Sequence, residues 1–149
     1  MKQLVIILLV AALGAGVYYA YTQSDIDLSH PNGDNPLTAQ AWQWTGTTYA
    51  DESTMAPEQS SDFVARFTAD GQFTSATDCN TIIGSYELED TSLSFGQLAI
   101  TEIACTGETL ELEYLSDLEQ VEAMLFTEDG QVLNLETKDG GMMHYSPNN

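Results

Sequence analysis

Past residue 40 the chain alternates apolar and polar positions in short runs broken by turn residues. Phe63, Ala65 and Phe67 alternate with Val64, Arg66 and Thr68, the two-residue period of a strand with one buried face. Asp70-Gly71 follows and leads into Phe73 and Ser75, an Asp-Gly hairpin signal. Asp129-Gly130 repeats the device between 124–126 and 132–135, and Asp139-Gly140-Gly141 repeats it before Met142–Tyr145. Acidic residues in these turns are there for their backbone tolerance and need no catalytic meaning. Trp42, Trp44 and Tyr49 open the run of strands, and Tyr86, Leu88, Leu93 and Phe95 are expected to point into one core.

One segment fits two periods. Leu110, Leu112 and Tyr114 alternate as in a strand, whereas Leu110, Tyr114, Leu118 and Val121 share a helical face. Glu108, Glu111 and Glu113 suit the positive end of a helix. Residues 108–120 are therefore read as the single helix of the domain, with Thr106 or Thr109 as its cap. The fold class is mainly β, a β-rich α+β domain: one antiparallel, barrel-like sheet with one helix, preceded by an N-terminal hydrophobic helix.

That N-terminal stretch has its own pattern. Lys2 precedes an apolar run, and the 18 residues from Leu4 to Tyr21 would extend about 27 Å as a helix. This approaches a hydrocarbon core of roughly 30 Å. Tyr18, Tyr19 and Tyr21 suit the membrane–water interface, and Lys2 suits the cytoplasmic side. Residues 1–21 are read as a signal-anchor, with a cleaved signal peptide as the alternative. Residues 22–40, rich in Ser, Pro, Asn, Gly and Asp, read as a flexible linker. Asp25, Asp27 and Ser29 begin like a calcium loop, but His30 and Pro36 stand where it needs Gly and Glu. The domain proper is placed at 41–146. It would be held on the periplasmic or extracellular side of the cell envelope, or secreted if the leader is cleaved.

Charge narrows the partners. All 23 acidic residues lie beyond Ser24, where only Arg66 and Lys138 oppose them. Such a field repels nucleic acid and anionic lipid and favours solubility or a cationic protein partner. Membrane contact is assigned to residues 4–21 alone.

Cys79 and Cys105 are the two cysteines. In an exported protein they are expected to pair as a disulfide. A nucleophilic role would call for a cationic neighbour to lower a thiol pKa, and the surrounding sequence offers almost none. His144 follows Met142 and Met143, yet no second His or Cys stands at ligand spacing. Acidic pairs such as Asp51/Glu52, Glu89/Asp90 and Glu128/Asp129 arise by chance in so acidic a chain. No catalytic, cofactor-binding or metal-binding residue is assigned, and the chain is read as not an enzyme.

The stretch from Asp78 to Cys105 carries a resemblance. Asp78-Cys79-Asn80 leads to Gly84-Ser85-Tyr86, then Leu93-Ser94-Phe95-Gly96, Leu98-Ala99-Ile100-Thr101 and Ala104-Cys105. With the opening Trp42 or Trp44, the Phe67-x-x-Asp70-Gly71 hairpin and Leu133-x-Leu135, this order resembles the META domain family, which includes the heat-shock protein HslJ. The signature residues are Asp78, Cys79, Asn80, Gly84, Tyr86, Phe95, Gly96, Thr101 and Cys105. Two departures stand out: relatives similar to HslJ are often lipid-anchored through an N-terminal Cys, which this chain lacks, and Thr106 stands where many have Pro. The resemblance implies a disulfide-stabilised envelope domain associated with stress tolerance, and no agreed reaction. Physically, Gly84 and Gly96 read as turn residues, and Asn80 as a loop residue that satisfies local backbone donors. An acidic binding module for a cationic envelope or extracellular protein is the alternative function. A lipocalin-like pocket inside the barrel is a third possibility that the sequence leaves open.

Overall fold

The computed structural model describes residues 35–127 and 130–148. The signal-anchor reading, most of the linker and the Asp129 position lie outside the described residues. Among the described residues, no helix is long and apolar enough to cross a membrane.

The elements follow in chain order as α1 (Pro36–Ala39), β1 (Trp42–Thr48), β2 (Thr54–Met55), a 3-10 turn (Ser60–Asp62), β3 (Val64–Phe67), β4 (Gln72–Ala76), β5 (Thr81–Glu89), β6 (Ser92–Phe95), β7 (Ala99–Ile100), α2 (Glu111–Glu119), β8 (Val121–Thr127), β9 (Val132–Thr137) and β10 (Met142–Pro147). Every pairing is antiparallel. The sheet runs β10-β9-β8-β6-β5-β4-β3-β1, and β10 pairs back onto β1, so the sheet closes on itself. Of the ten strands, β2 and β7 lie outside this ring, which leaves an eight-stranded barrel. Closure removes the exposed edges that an open sheet would present.

The alternation along β3 and β4 is the cause of their placement. Phe67 pairs with Phe73 and Ala65 with Ser75, and all four side chains are buried. Tyr86 and Leu93 are buried, while Leu88 and Phe95 pack against the same core, as the pattern predicts. Phe95 lies 4.6 Å from Phe73 between ring centroids.

The closure places the first and last strands side by side. Trp44 is opposite Tyr145, and a bulge between Trp44 and Gly46 shifts the register before Gly46 meets His144. The helix α2 turns Tyr114 and Leu118 into the core and keeps Leu112 exposed. Its Tyr114 ring sits 4.9 Å from Trp44 and 5.3 Å from Phe63. The Tyr114 hydroxyl lies 3.1 Å from both Ser75 Oγ on β4 and the Tyr145 hydroxyl on β10. One side chain thus joins strands three steps apart around the ring. Burial pushes the Tyr114 hydroxyl up to about 12 and Tyr145 well above the ordinary tyrosine range. Trp44, Phe63, Tyr114 and Tyr145 are all buried, and the Trp44, Phe63 and Tyr114 rings pack on one another in the interior.

Two boundaries differ from the sequence reading. Residues 35–40, read as the end of the linker, pack onto the domain. Asn35 Oδ1 accepts from the Leu37 amide, Leu37 is fully buried, and its carbonyl accepts from Trp42 Nε1 at 3.0 Å. A single apolar residue in a polar stretch marks this anchor, too little signal for periodicity to register. The helix starts at Glu111 rather than 108, and Thr106 and Thr109 do not cap it.

Candidate functional site

Signature residues converge at the start of α2. The residue before the helix, Leu110, donates its amide to Asp78 Oδ2 at 2.8 Å. The cap therefore comes from a loop 32 residues earlier in the chain. A carboxylate at this end also suits the positive pole of the helix.

Glu111 is the residue that sequence reasoning missed. It is only 7% exposed, and its carboxylate is folded back onto the Thr77–Asn80 loop. Oε2 accepts from the Asn80 amide at 3.0 Å and from Thr77 Oγ1 at 3.1 Å, and Oε1 accepts from Asn80 Nδ2 at 3.0 Å. Burying a carboxylate is costly unless its lone pairs are satisfied, and these donors satisfy them.

Asn80 bridges three segments. Its Oδ1 accepts from Thr101 Oγ1 at 2.9 Å and from the Ile103 amide at 2.7 Å, while Nδ2 reaches Glu111. Thr101 Oγ1 in turn accepts from the Thr81 amide. The Cys79–Cys105 disulfide closes the same knot, with its Cα atoms 5.8 Å apart. Tyr86 donates its hydroxyl to the Thr68 carbonyl at 2.7 Å and so ties the hairpin loop to β5.

Gly96 lies in the connection between β6 and β7, as expected, whereas Gly84 has a different cause. Gly84 lies in the middle of β5, not in a turn. A Cβ there would stand 2.7 Å from Leu98 Cδ2 and 2.8 Å from the Gln97 carbonyl, so its role is to let the 97–98 segment cross close to the strand. A Cβ on Gly96 would stand 2.5 Å from Ser85 Oγ. The Gly96 amide donates to the Ser85 carbonyl, which explains the approach.

A second polar cluster lies between β1 and α2. Asp117 Oδ2 accepts from Thr47 Oγ1 at 2.9 Å and from the Tyr49 hydroxyl at 3.2 Å. Trp44 Nε1 donates to the same Thr47 hydroxyl at 3.3 Å. Burial raises the Asp117 carboxyl, with neighbouring Asp139 and Glu113 adding to the rise, against the hydrogen bonds from Thr47 and Tyr49. Burial and the Asp117 charge push Tyr49 up to about 12. Tyr49, Leu112, Glu113, Ser116 and Asp117 line a shallow, open groove of about 350 Å³.

In this cluster a threonine and a tyrosine hydroxyl both donate to Asp117, and the Thr47 hydroxyl also accepts from the Trp44 indole. His144 is committed elsewhere, Nδ1 to Asn134 Oδ1 at 2.7 Å and Nε2 to Thr48 Oγ1 at 3.1 Å. Among the described residues, Cys79, Cys105 and Glu111 bring potential ligand atoms within 4.8 Å of one another, although the disulfide occupies both sulfurs.

The barrel has relatives of known structure. A protein from Burkholderia xenovorans solved by NMR is similar over 94% of this chain and 99% of its own, at 20% identity and a TM-score of 0.66. A DUF4847 family protein from Bacteroides vulgatus matches 75% of this chain and 94% of its own, at 14% identity and a TM-score of 0.56. A lipocalin-like protein from Bacteroides uniformis covers 74% of this chain and 98% of its own, at 17% identity and a TM-score of 0.50. At these identities the likeness speaks to the fold. No curated protein sequence matches significantly. The family model described as META domain matches residues 35–149, starting at the Asn35 that caps α1. With a knotted Asp78–Cys105 segment, a closed barrel and that match over most of its length, the chain belongs to the META domain family.

Proposed function

We propose that this is a non-enzymatic, exported META-type domain that acts at the cell envelope by its stability and its contacts, in tolerance of stress. The supporting observation is the use to which the signature is put. Asp78 caps a helix, Asn80 and Glu111 satisfy each other, Thr101 anchors a loop, and Cys79 and Cys105 are joined. These polar groups are directed at the protein itself rather than at a substrate. A disulfide that closes the knot suits an oxidising compartment.

The test is a deletion strain complemented with wild-type chain or with Cys79→Ser/Cys105→Ser. The reading expects a growth defect under heat or envelope stress, restored by wild type and poorly by the cysteine variant. Wild-type growth of the deletion strain across those stresses would contradict it.

The Tyr49–Asp117 groove favours a second reading, an acidic binding module for a cationic protein. Asp117 and Glu113 offer carboxylates beside the exposed side chain of Leu112, in a chain with 23 acids and 3 bases. Such binding should weaken as salt shortens the screening length from about 10 Å at 0.1 M to about 3 Å at 1 M. A low-salt pull-down from envelope extract that recovers no basic protein would dispose of it.

A further inference from the structure

The atoms around the disulfide are arranged as a ligand set. We propose that the reduced form of this chain binds a thiophilic divalent cation of the zinc type, through the Cys79 and Cys105 thiolates and the Glu111 carboxylate, with water in the fourth position.

Geometry supports it first. A tetrahedral ion with metal–sulfur and metal–oxygen bonds of about 2.3 and 2.1 Å holds sulfur and oxygen about 3.6 Å apart. Cys105 Sγ and Glu111 Oε1 are already 3.6 Å apart. Once the sulfur–sulfur bond is broken, the two sulfurs need to part to about 3.8 Å. Side-chain rotation supplies this without moving the Cα atoms from their 5.8 Å separation.

The surrounding donors support it second. Asn80 Nδ2 lies 3.5 Å from Cys79 Sγ, 3.4 Å from Cys105 Sγ and 3.0 Å from Glu111 Oε1. One amide thus faces all three ligand atoms. Donors in that position stabilise thiolate and orient a carboxylate ligand. Asn80 is itself held by Thr101 and the Ile103 amide, so it does not have to move. Thr77 and the Asn80 amide anchor Glu111 Oε2, which leaves Oε1 turned toward the sulfurs. Two thiolates and one carboxylate select zinc-type ions over magnesium or calcium.

The chemistry balances with a dithiol as reductant. The donor closes to its own disulfide, and its two electrons and two protons end on Cys79 and Cys105 as thiols. Metal binding then releases both thiol protons to solvent, while Glu111 binds as carboxylate. The ion takes over from the covalent bond in holding the Cys79 loop beside α2, so the knot survives in a reducing setting.

The test uses the full chain, reduced with a phosphine, freed of reductant under argon and titrated with Co²⁺ alone. The expected result is thiolate-to-cobalt charge-transfer absorption with the visible bands of a tetrahedral ion, saturating at about one ion per chain with release of about two protons. The oxidised chain should show neither. C105S should lose most of the charge-transfer intensity, and E111Q should weaken affinity by at least about tenfold. A titration without charge-transfer absorption overturns the proposal, as does release of less than about one proton by the wild type. An E111Q curve that superimposes on wild type removes Glu111 from the site and overturns it too. Should E111Q fail to fold, the absorption and proton count of the wild type decide alone.

Discussion

Glu111 accepts two hydrogen bonds from Asn80, one from its backbone amide and one from its side-chain amide, each at 3.0 Å. Residues 31 positions apart thereby lock the β4–β5 loop onto the first turn of α2. Replacing Glu111 by Ala removes the charged acceptor of three hydrogen bonds and leaves the Asn80 amide to Thr77 Oγ1, Asn80 Nδ2 to the Ile103 carbonyl and the Thr77 hydroxyl to the Asn80 carbonyl. Glu111→Ala should cost roughly 1.5–3 kcal/mol of unfolding free energy, on the scale of hydrogen bonds to a charged group. Urea unfolding checks it, and a loss below about 0.5 kcal/mol, the ordinary range of surface substitutions, would show that Glu111 carries no such load.

Gly84→Ala tests the close crossing of β5 by residues 97–98. The added Cβ would meet a backbone carbonyl at 2.8 Å, which cannot rotate out of the way. Overpacking of this kind costs about 1–3 kcal/mol. A thermal midpoint equal to wild type would show that the crossing segment gives freely.

Asp117 sets a pH dependence. Burial raises its folded pKa above the ordinary 3.8, so folding favours its protonated form. Its charge therefore costs stability at neutral pH, and that cost fades as pH falls through the raised value and is gone below the ordinary one. Asp117→Asn removes the cost. The stability of D117N relative to wild type should be most favourable at neutral pH and decline in acid, by no more than about 1 kcal/mol because the group is half-exposed and screened. Thermal melts at neutral and acid pH read the difference; one that is flat or of opposite slope would contradict the assignment.

The disulfide closes a separation of 26 residues. On the chain-entropy model it stabilises the domain by about 3–4 kcal/mol. Denaturant unfolding of metal-free chain with and without reductant should differ by that amount. Two free thiols titrated in non-reduced protein from its native host would contradict the bond itself.

The strands were legible wherever one face is buried. Phe63, Ala65 and Phe67 are all buried, as their alternation implies, and the Asp70-Gly71 turn joins β3 to β4. The closing contact was not legible in detail, because β1 and β10 lie at opposite ends of the domain and no local pattern specifies the pairing of Trp44 with Tyr145. The helix cap was missed for the same reason: the donor Leu110 finds its acceptor on distant Asp78 rather than on a neighbouring threonine. Among 23 acids nothing local distinguishes Glu111, whose burial follows from tertiary contacts with Asn80. The two signature glycines were recognisable as glycines that matter, but Gly84 serves a crossing and not a turn.

The central claim is that the signature segment is a structural clamp on α2. A double-mutant cycle on Asn80→Ala and Glu111→Ala, read by equilibrium unfolding, addresses it most directly. The clamp predicts strong coupling, with the double variant losing less than the sum of the singles by about 1–3 kcal/mol. Additive losses, within about 0.5 kcal/mol, would mean that Asn80 and Glu111 act independently and that the segment is not the clamp described.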